Sequence, residues 1–149
     1  MALINRSSQA VSNAMRAVAR KRERYTHDVK VGRHTITADE PEKQGGQDLG
    51  PSPQELLAAS LASCTAVTME MYAERKGWNV DGMEVDCRYT PAERGCPTRF
   101  ELVMRMPAHL SEEQVERLQV IAAKCPVHRT LEGEVMFEER VERVSLARR

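Results

Sequence analysis

Two cysteines, Cys64 and Cys125, sit on the apolar stripes of two predicted helices, and the second is followed at once by proline. Helical steps back from Cys64 meet Leu61 and Leu57, and steps forward meet Thr68 and Met71. Steps back from Cys125 meet Ala122, Ile121 and Leu118. Each thiol therefore points the way its helix's core face points. Packing those faces together delivers two sulfurs to one place, and adjacent thiols do redox chemistry that neither does alone. A lone buried cysteine is more often a small core hydrophobe; it is the pair that raises the chemical reading.

The surroundings differ. Burial among Leu57, Leu61 and Met71 raises a thiol's pKa, so Cys64 needs a nearby cation to ionise. Cys125 has its own source of acidity if it caps a short helix beginning at Pro126, because its sulfur then faces free N–H groups at the positive end of a dipole. His128 and Arg129 follow within one turn, and a histidine three residues from a thiol suits proton transfer. Cys87 and Cys96 flank a predicted hairpin loop and read as one core and one loop thiol. No C-x-x-C or H-x-x-x-H spacing appears among the cysteines and His27, His34, His109 and His128, so no metal is expected. The glycines at 45, 46 and 50 lack the spacing and lysine of a phosphate loop, so no nucleotide cofactor is expected.

The elements that must position these residues read as ββ–α–ββ–α–β. Glu23 to Gly32 and Arg33 to Asp39 form a hairpin across a Val-Gly turn. A glycine-rich loop, Glu42 to Gly50, leads to a strongly marked helix start: Ser52 as N-cap, Pro53 at the first position, and Glu55 completing a capping box. That helix runs to about Lys76, with Gly77 placed to end it. Asp81 to Thr90 and Thr98 to Met106 alternate as a second hairpin. Ser111 to Gln114 is another capping box, opening a helix to about Cys125 that Pro126 must interrupt. A short helical turn is expected before Gly133, and Glu134 to Val141 closes the chain as a strand. The segregated order predicts an α+β fold, a mainly antiparallel sheet packed with two central helices. The first helix is rich in small residues (Ala58, Ala59, Ser60, Ala62, Ser63, Ala66), which suggests burial on more than one side, as in a dimer.

Residues 1–21 read differently. They carry Arg6, Arg16, Arg20 and Lys21 with no acid before Glu23, a composition like a transit peptide. The plainer expectation is a flexible or helical amino-terminal arm, with residues 22–149 as a single domain. The 149 residues hold 22 basic and 22 acidic side chains, so net charge gives no reason to expect nucleic acid or an anionic membrane as partner. Six aromatics argue against a base-stacking platform. The longest apolar run, Leu56 to Ala62, is far short of the roughly 20 residues of a membrane span. Four cysteines without the spacing of a secreted scaffold suit a reducing cytoplasm.

GPSPQELLAASLASC (Gly50 to Cys64) and AAKCPVHRTL (Ala122 to Leu131) resemble the two cysteine motifs of the OsmC/Ohr family of osmotically or peroxide-induced proteins. The likeness extends from about Glu23 to Val141 and is nearest to the OsmC-like branch that shares the ADEP segment, Ala38 to Pro41. It implies an intertwined homodimer and thiol-dependent reduction of organic hydroperoxides. In that scheme Cys64 attacks the peroxide, Cys125 condenses with the sulfenic acid to form a disulfide, and an external dithiol restores both. The family's activating arginine falls on Arg33, in the VGR turn. Its glutamate position holds Gln54 here; Glu55 is one residue away, about 100° around a helix, and its capping box already accounts for it. Asp39 and Glu40 are other carboxylates near that loop.

The leading expectation is a homodimeric oxidative-stress oxidoreductase of peroxidase type, with Cys64 and Cys125 as the redox pair, Arg33 and Glu55 as candidate activators, and no cofactor or metal. Its partners are a hydroperoxide and a thiol reductant. The alternatives are non-catalytic binding of a small apolar ligand in the inter-helix cleft, favoured by Gln54, or slow thiol redox sensing.

Overall fold

A computed structural model describes residues 14–145. The chain forms two compact units, one running through Ala59 with Arg88–Phe100, the other combining Ser60–Cys87 with the chain from Glu101 onward.

In the first unit, strands β1 (Ala17–Glu23), β2 (Thr26–Val31) and β3 (His34–Ala38) form an antiparallel sheet in that order. The β2–β3 hairpin is the one the alternation predicts, with Val31 opposite His34 across Gly32, whose φ of +58° favours glycine. Strand β1 corrects the reading of residues 1–21 as a flexible or helical arm, because residues 17–21 are strand; residues 1–13 lie outside the described residues. Its sequence, AVARKRE, does not alternate, and nearly all of it is exposed. Such a basic edge strand is held by backbone pairing to β2 rather than by a buried face.

After β3 the chain turns on one carboxylate. Asp39, 1% exposed, accepts hydrogen bonds from the Thr26 hydroxyl (2.9 Å) and from the backbone N–H groups of Glu40 (2.8 Å), Gln47 (3.3 Å) and Leu49 (3.3 Å). This ties the loop from 40 to 50 back onto β2. The loop closes so tightly that a Cβ on Gly46 would lie 1.8 Å from the Glu40 carbonyl oxygen.

Helix α1 spans Pro53–Lys76. Its predicted capping box is present: Ser52 N–H donates to the Glu55 carboxylate (2.7 Å) and Glu55 N–H to the Ser52 hydroxyl (3.3 Å). Gly77, at φ +67°, ends it where expected. By length and mean apolarity α1 would also pass for a membrane-crossing helix, because the stretch between Glu55 and Glu70 carries no charged side chain.

In the second unit, α1 packs with α2 (Glu112–Ala122) around Met69, Ala73, Leu118 and Ala122. Met83, Val85 and Met104 cover this cluster from β4 (Glu84–Thr90), β5 (Arg99–Arg105) and the turn before β4. β4 and β5 form the second hairpin, with side-chain burial alternating along β5 as the sequence predicts. Arg117 fastens α2 to α1 by donating Nε–H to the Tyr72 hydroxyl (2.9 Å). Helix α2 starts at the predicted Ser111–Gln114 capping box but stops at Ala122 rather than at Cys125. A short α3 (Pro126–Glu132) follows. The expected last strand, Glu134 to Val141, has no regular structure, and Met136, Phe137 and Val141 are 83–93% exposed. A strand forms only against a partner edge, and no described strand pairs with this one.

Candidate thiol site

The buried positions of α1 are Leu61, Thr65, Met69 and Ala73, spaced four apart. Cys64 therefore flanks this stripe and is half-buried. The predicted stripe through Leu57 and Met71 is corrected: those side chains are 36% and 54% exposed. The Cys125 side is as the sequence predicts. Leu118, Ile121 and Ala122 are buried beside it, and Cys125 itself is 0% exposed.

The break between α2 and α3 aims the second sulfur. Pro126 at the first position of α3 holds Cys125 extended, with φ −52° and ψ 128°, as the N-cap residue. The Cys125 carbonyl accepts the first α3 hydrogen bond, from Arg129 N–H at 3.0 Å. Its sulfur makes no full capping hydrogen bond, yet the N–H groups of Val127 and His128 face it. The Cys64 and Cys125 thiols lie within hydrogen-bonding reach of each other, and Val127 N–H also faces Cys64.

The two thiols titrate apart. For Cys64, burial is the largest influence and raises the pKa; the hydrogen bond with Cys125 and the charge there raise it further, while Val127 N–H and Thr68 oppose weakly. Burial also pushes Cys125 up, but hydrogen bonds from Cys64, His128 N–H, the Thr65 hydroxyl and Val127 N–H outweigh it and leave the thiol below its ordinary value. Cys125 therefore ionises first, with the Cys64 S–H as one of its donors. The arrangement makes the buried Cys125 the more acidic of two neighbouring thiols.

His128 donates Nε2–H to Glu132 Oε1 at 3.0 Å, one turn further along α3, while its Nδ1 is buried with no hydrogen-bond partner among the described residues. Sequence reading missed Thr65 and Glu132. Glu132 was detectable as the residue four after His128; Thr65 carried no signal beyond its place between Leu61 and Met69.

Arg33 and Glu55 belong to the first unit. Arg33 is exposed in the β2–β3 turn, and its side chain makes no hydrogen bond or ion pair among the described residues. Glu55 is committed to the N-cap, and the Ser52 N–H is the main reason its carboxyl titrates below the ordinary value. Asp39 is the structural anchor described above.

An α+β fold with antiparallel sheets, in which a half-buried thiol on a long helix meets a capping thiol on a short one, defines a class of protein. A family model described as OsmC-like protein matches residues 45–140, taking in both cysteines. The chain belongs to the OsmC-like protein family. Among solved structures it resembles an OsmC-like protein from Mycoplasma pneumoniae (TM-score 0.70, 20% identity, 81% of this chain and 89% of that one). It also resembles the organic hydroperoxide resistance protein OhrB of Bacillus subtilis (TM-score 0.56, 20% identity, 80% and 91%). An organic hydroperoxide resistance protein OsmC from Legionella pneumophila is similar too (TM-score 0.58, 17% identity, 79% and 90%). At these identities the structural likeness defines the fold. No curated protein sequence matches the chain.

Proposed function

We propose that this protein reduces organic hydroperoxides with the Cys64–Cys125 pair and is recycled by an external dithiol. The observation that carries the reading is the contact between the two sulfurs, one half-buried and one fully buried. Family membership, and structural neighbours named for hydroperoxide resistance, support it.

Exposure and acidity divide the roles. Peroxide reaches only a sulfur that is partly open, so Cys64 is the attacker. Cys125, the thiol that ionises first, takes the Cys64 proton along their shared hydrogen bond as the substrate arrives. The Cys64 thiolate then attacks the terminal peroxide oxygen: an S–O bond forms, the O–O bond breaks, and the departing alkoxide takes the proton back from Cys125 and leaves as alcohol, so that Cys125 is again a thiolate. The Cys125 thiolate next attacks the Cys64 sulfenic sulfur; the S–S bond forms and hydroxide leaves as water on protonation. A dithiol reduces the disulfide. Arg33 and Glu55 are proposed as lesser contributors, to be judged by substitution.

The four free thiols fit a reducing compartment such as the cytoplasm. The exposed apolar side chains of α1 and of the chain after Gly133 support a homodimer. The elevated pKa of Cys64 favours a second reading, slow redox sensing, in which the same disulfide forms once and is not turned over. Cumene or t-butyl hydroperoxide consumption with excess dithiol separates the two. Catalytic turnover that vanishes in Cys64→Ser supports the enzyme. Wild-type turnover no faster than that of Cys64→Ser overturns it, and a stoichiometric disulfide without turnover favours sensing.

A further inference from the structure

Tyr72 stands a little over two turns of α1 beyond Cys64, about 12 Å along the axis. It meets Trp78 edge-on, with ring centroids 5.7 Å apart and planes 68° from parallel. The two rings wall an open cleft of about 920 Å³, a size that suits a small molecule. Three cations surround the Tyr72 ring: Arg117 Cζ lies 5.5 Å, Lys76 Nζ 5.7 Å and Arg75 Cζ 6.0 Å from its centroid. None of the three makes an ion pair among the described residues. A ring face attracts cations, and Arg75 and Lys76 also suit the negative end of α1. Arg117 has no such local reason, since it arrives from α2. Only its Nε–H is engaged, in the bond to the Tyr72 hydroxyl (2.9 Å), so its two terminal Nη groups have no acceptor among the described residues. That bond is the main cause holding the Tyr72 phenol below its ordinary value, and the charges of Arg117, Lys76 and Arg75 add to it. The positive potentials of all three therefore converge at one point of the cleft.

We infer that this cleft binds a small monocarboxylate with an aromatic body, its carboxylate on the Arg117 Nη fork beside Lys76 and its body against Trp78 and Val120. A guanidinium fork matches a planar carboxylate with two parallel hydrogen bonds. Glu113 and Glu116 border the same cleft. Three cations against two carboxylates leave a surplus that suits one negative charge and disfavours the second charge of a phosphate. Trp78 and the half-exposed Val120 offer apolar surface that a bare inorganic ion leaves uncovered. The cleft and the thiol pair have no residue in common, so the site stands whether or not the thiols turn over peroxide.

Trp78 is the chain's one tryptophan, so its fluorescence reports on the cleft. The full chain is titrated with 3-phenylpropionate, its uncharged amide, acetate and inorganic phosphate. The expected result is a saturable change with 3-phenylpropionate, half-complete at about 1 mM or below. The other three probes should bind at least about tenfold more weakly, each lacking the charged hydrogen bonds, the body or the single charge. Arg117→Gln should weaken 3-phenylpropionate about tenfold, and Arg117→Lys, which keeps the charge but not the fork, should not restore it. Because Arg117 also fastens α2, Lys76→Gln on an exposed side chain serves as the second variant, with weakening of about threefold. Glu113→Gln with Glu116→Gln should strengthen the binding of phosphate. No saturation by 3-phenylpropionate in the millimolar range overturns the inference. So does equal binding of the amide, tighter binding of phosphate to the wild type, or affinity unchanged in both Arg117→Gln and Lys76→Gln.

Discussion

Asp39 has four donors aimed at one buried carboxylate, and that geometry makes its charge part of the fold. Burial raises its pKa, but Glu40 N–H, the Thr26 hydroxyl and the N–H groups of Leu49 and Gln47 more than offset this and hold it below the ordinary value. A depressed folded-state pKa means the ionised form stabilises the native state. That stabilisation is complete above the unfolded-state value of 3.8 and is lost as pH falls through the lower folded value. Asp39→Asn replaces an acceptor with an amide N–H₂ among donors, so its thermal midpoint should fall by several degrees at neutral pH. Denaturant midpoints measured against pH should show a steady gap between wild type and variant, closing only in acid below that threshold. A gap that persists unchanged into strong acid would refute the charge argument. At this scale Cys125 was legible, because helical spacing and a following proline mark it, whereas the stripe drawn through Cys64 runs one position aside of the buried one. Asp39 was not, because its partners lie at 26, 40, 47 and 49, scattered over a loop that no local pattern marks.

Between residues and the whole chain, the decisive element is the break after α2. Pro126 cannot donate a helical hydrogen bond and keeps Cys125 extended, so α2 stops at Ala122 and the sulfur turns toward α1. Pro126→Ala removes both restraints and lets α2 run on through Cys125. Misaligning reacting groups by about an ångström can cost roughly a hundredfold. We therefore expect helical circular dichroism to rise slightly in Pro126→Ala while intramolecular disulfide formation falls by roughly that factor. Closure at the wild-type rate would show that the break does not aim Cys125. Elements were legible where local chemistry marks their ends, as at Ser52, Gly77, Ser111 and Pro126. They were not where pairing alone decides. Strand β1 exists because β2 offers an edge to a basic, non-alternating sequence, whereas the apolar segment after Gly133 has strand chemistry and no edge among the described residues.

That unpartnered segment carries the prediction for the whole molecule. Val135, Met136, Phe137 and Val141 are 54–93% exposed in the stretch, Glu134 to Val141, that reads as a strand. On α1, Val67 and Met71, one turn apart, are 49% and 54% exposed. Scattered apolar residues on a surface are ordinary; a strand-like segment and a charge-poor helix both left open are what a second copy would cover. Twofold symmetry uses each contact twice. Burying one large apolar side chain is worth about 1.5–3 kcal/mol, so a change at two such positions is felt four times across a symmetric interface. Phe137→Asp with Val141→Asp should therefore weaken association by at least about a hundredfold and turn a dimer into a monomer at micromolar concentration in sedimentation velocity. The variant should keep the Cys64–Cys125 contact, because both sulfurs and every donor facing them come from one chain. Its disulfide should still form with a stoichiometric oxidant. A wild type that sediments as a monomer, or a double variant that stays dimeric, removes the segment after Gly133 from the interface.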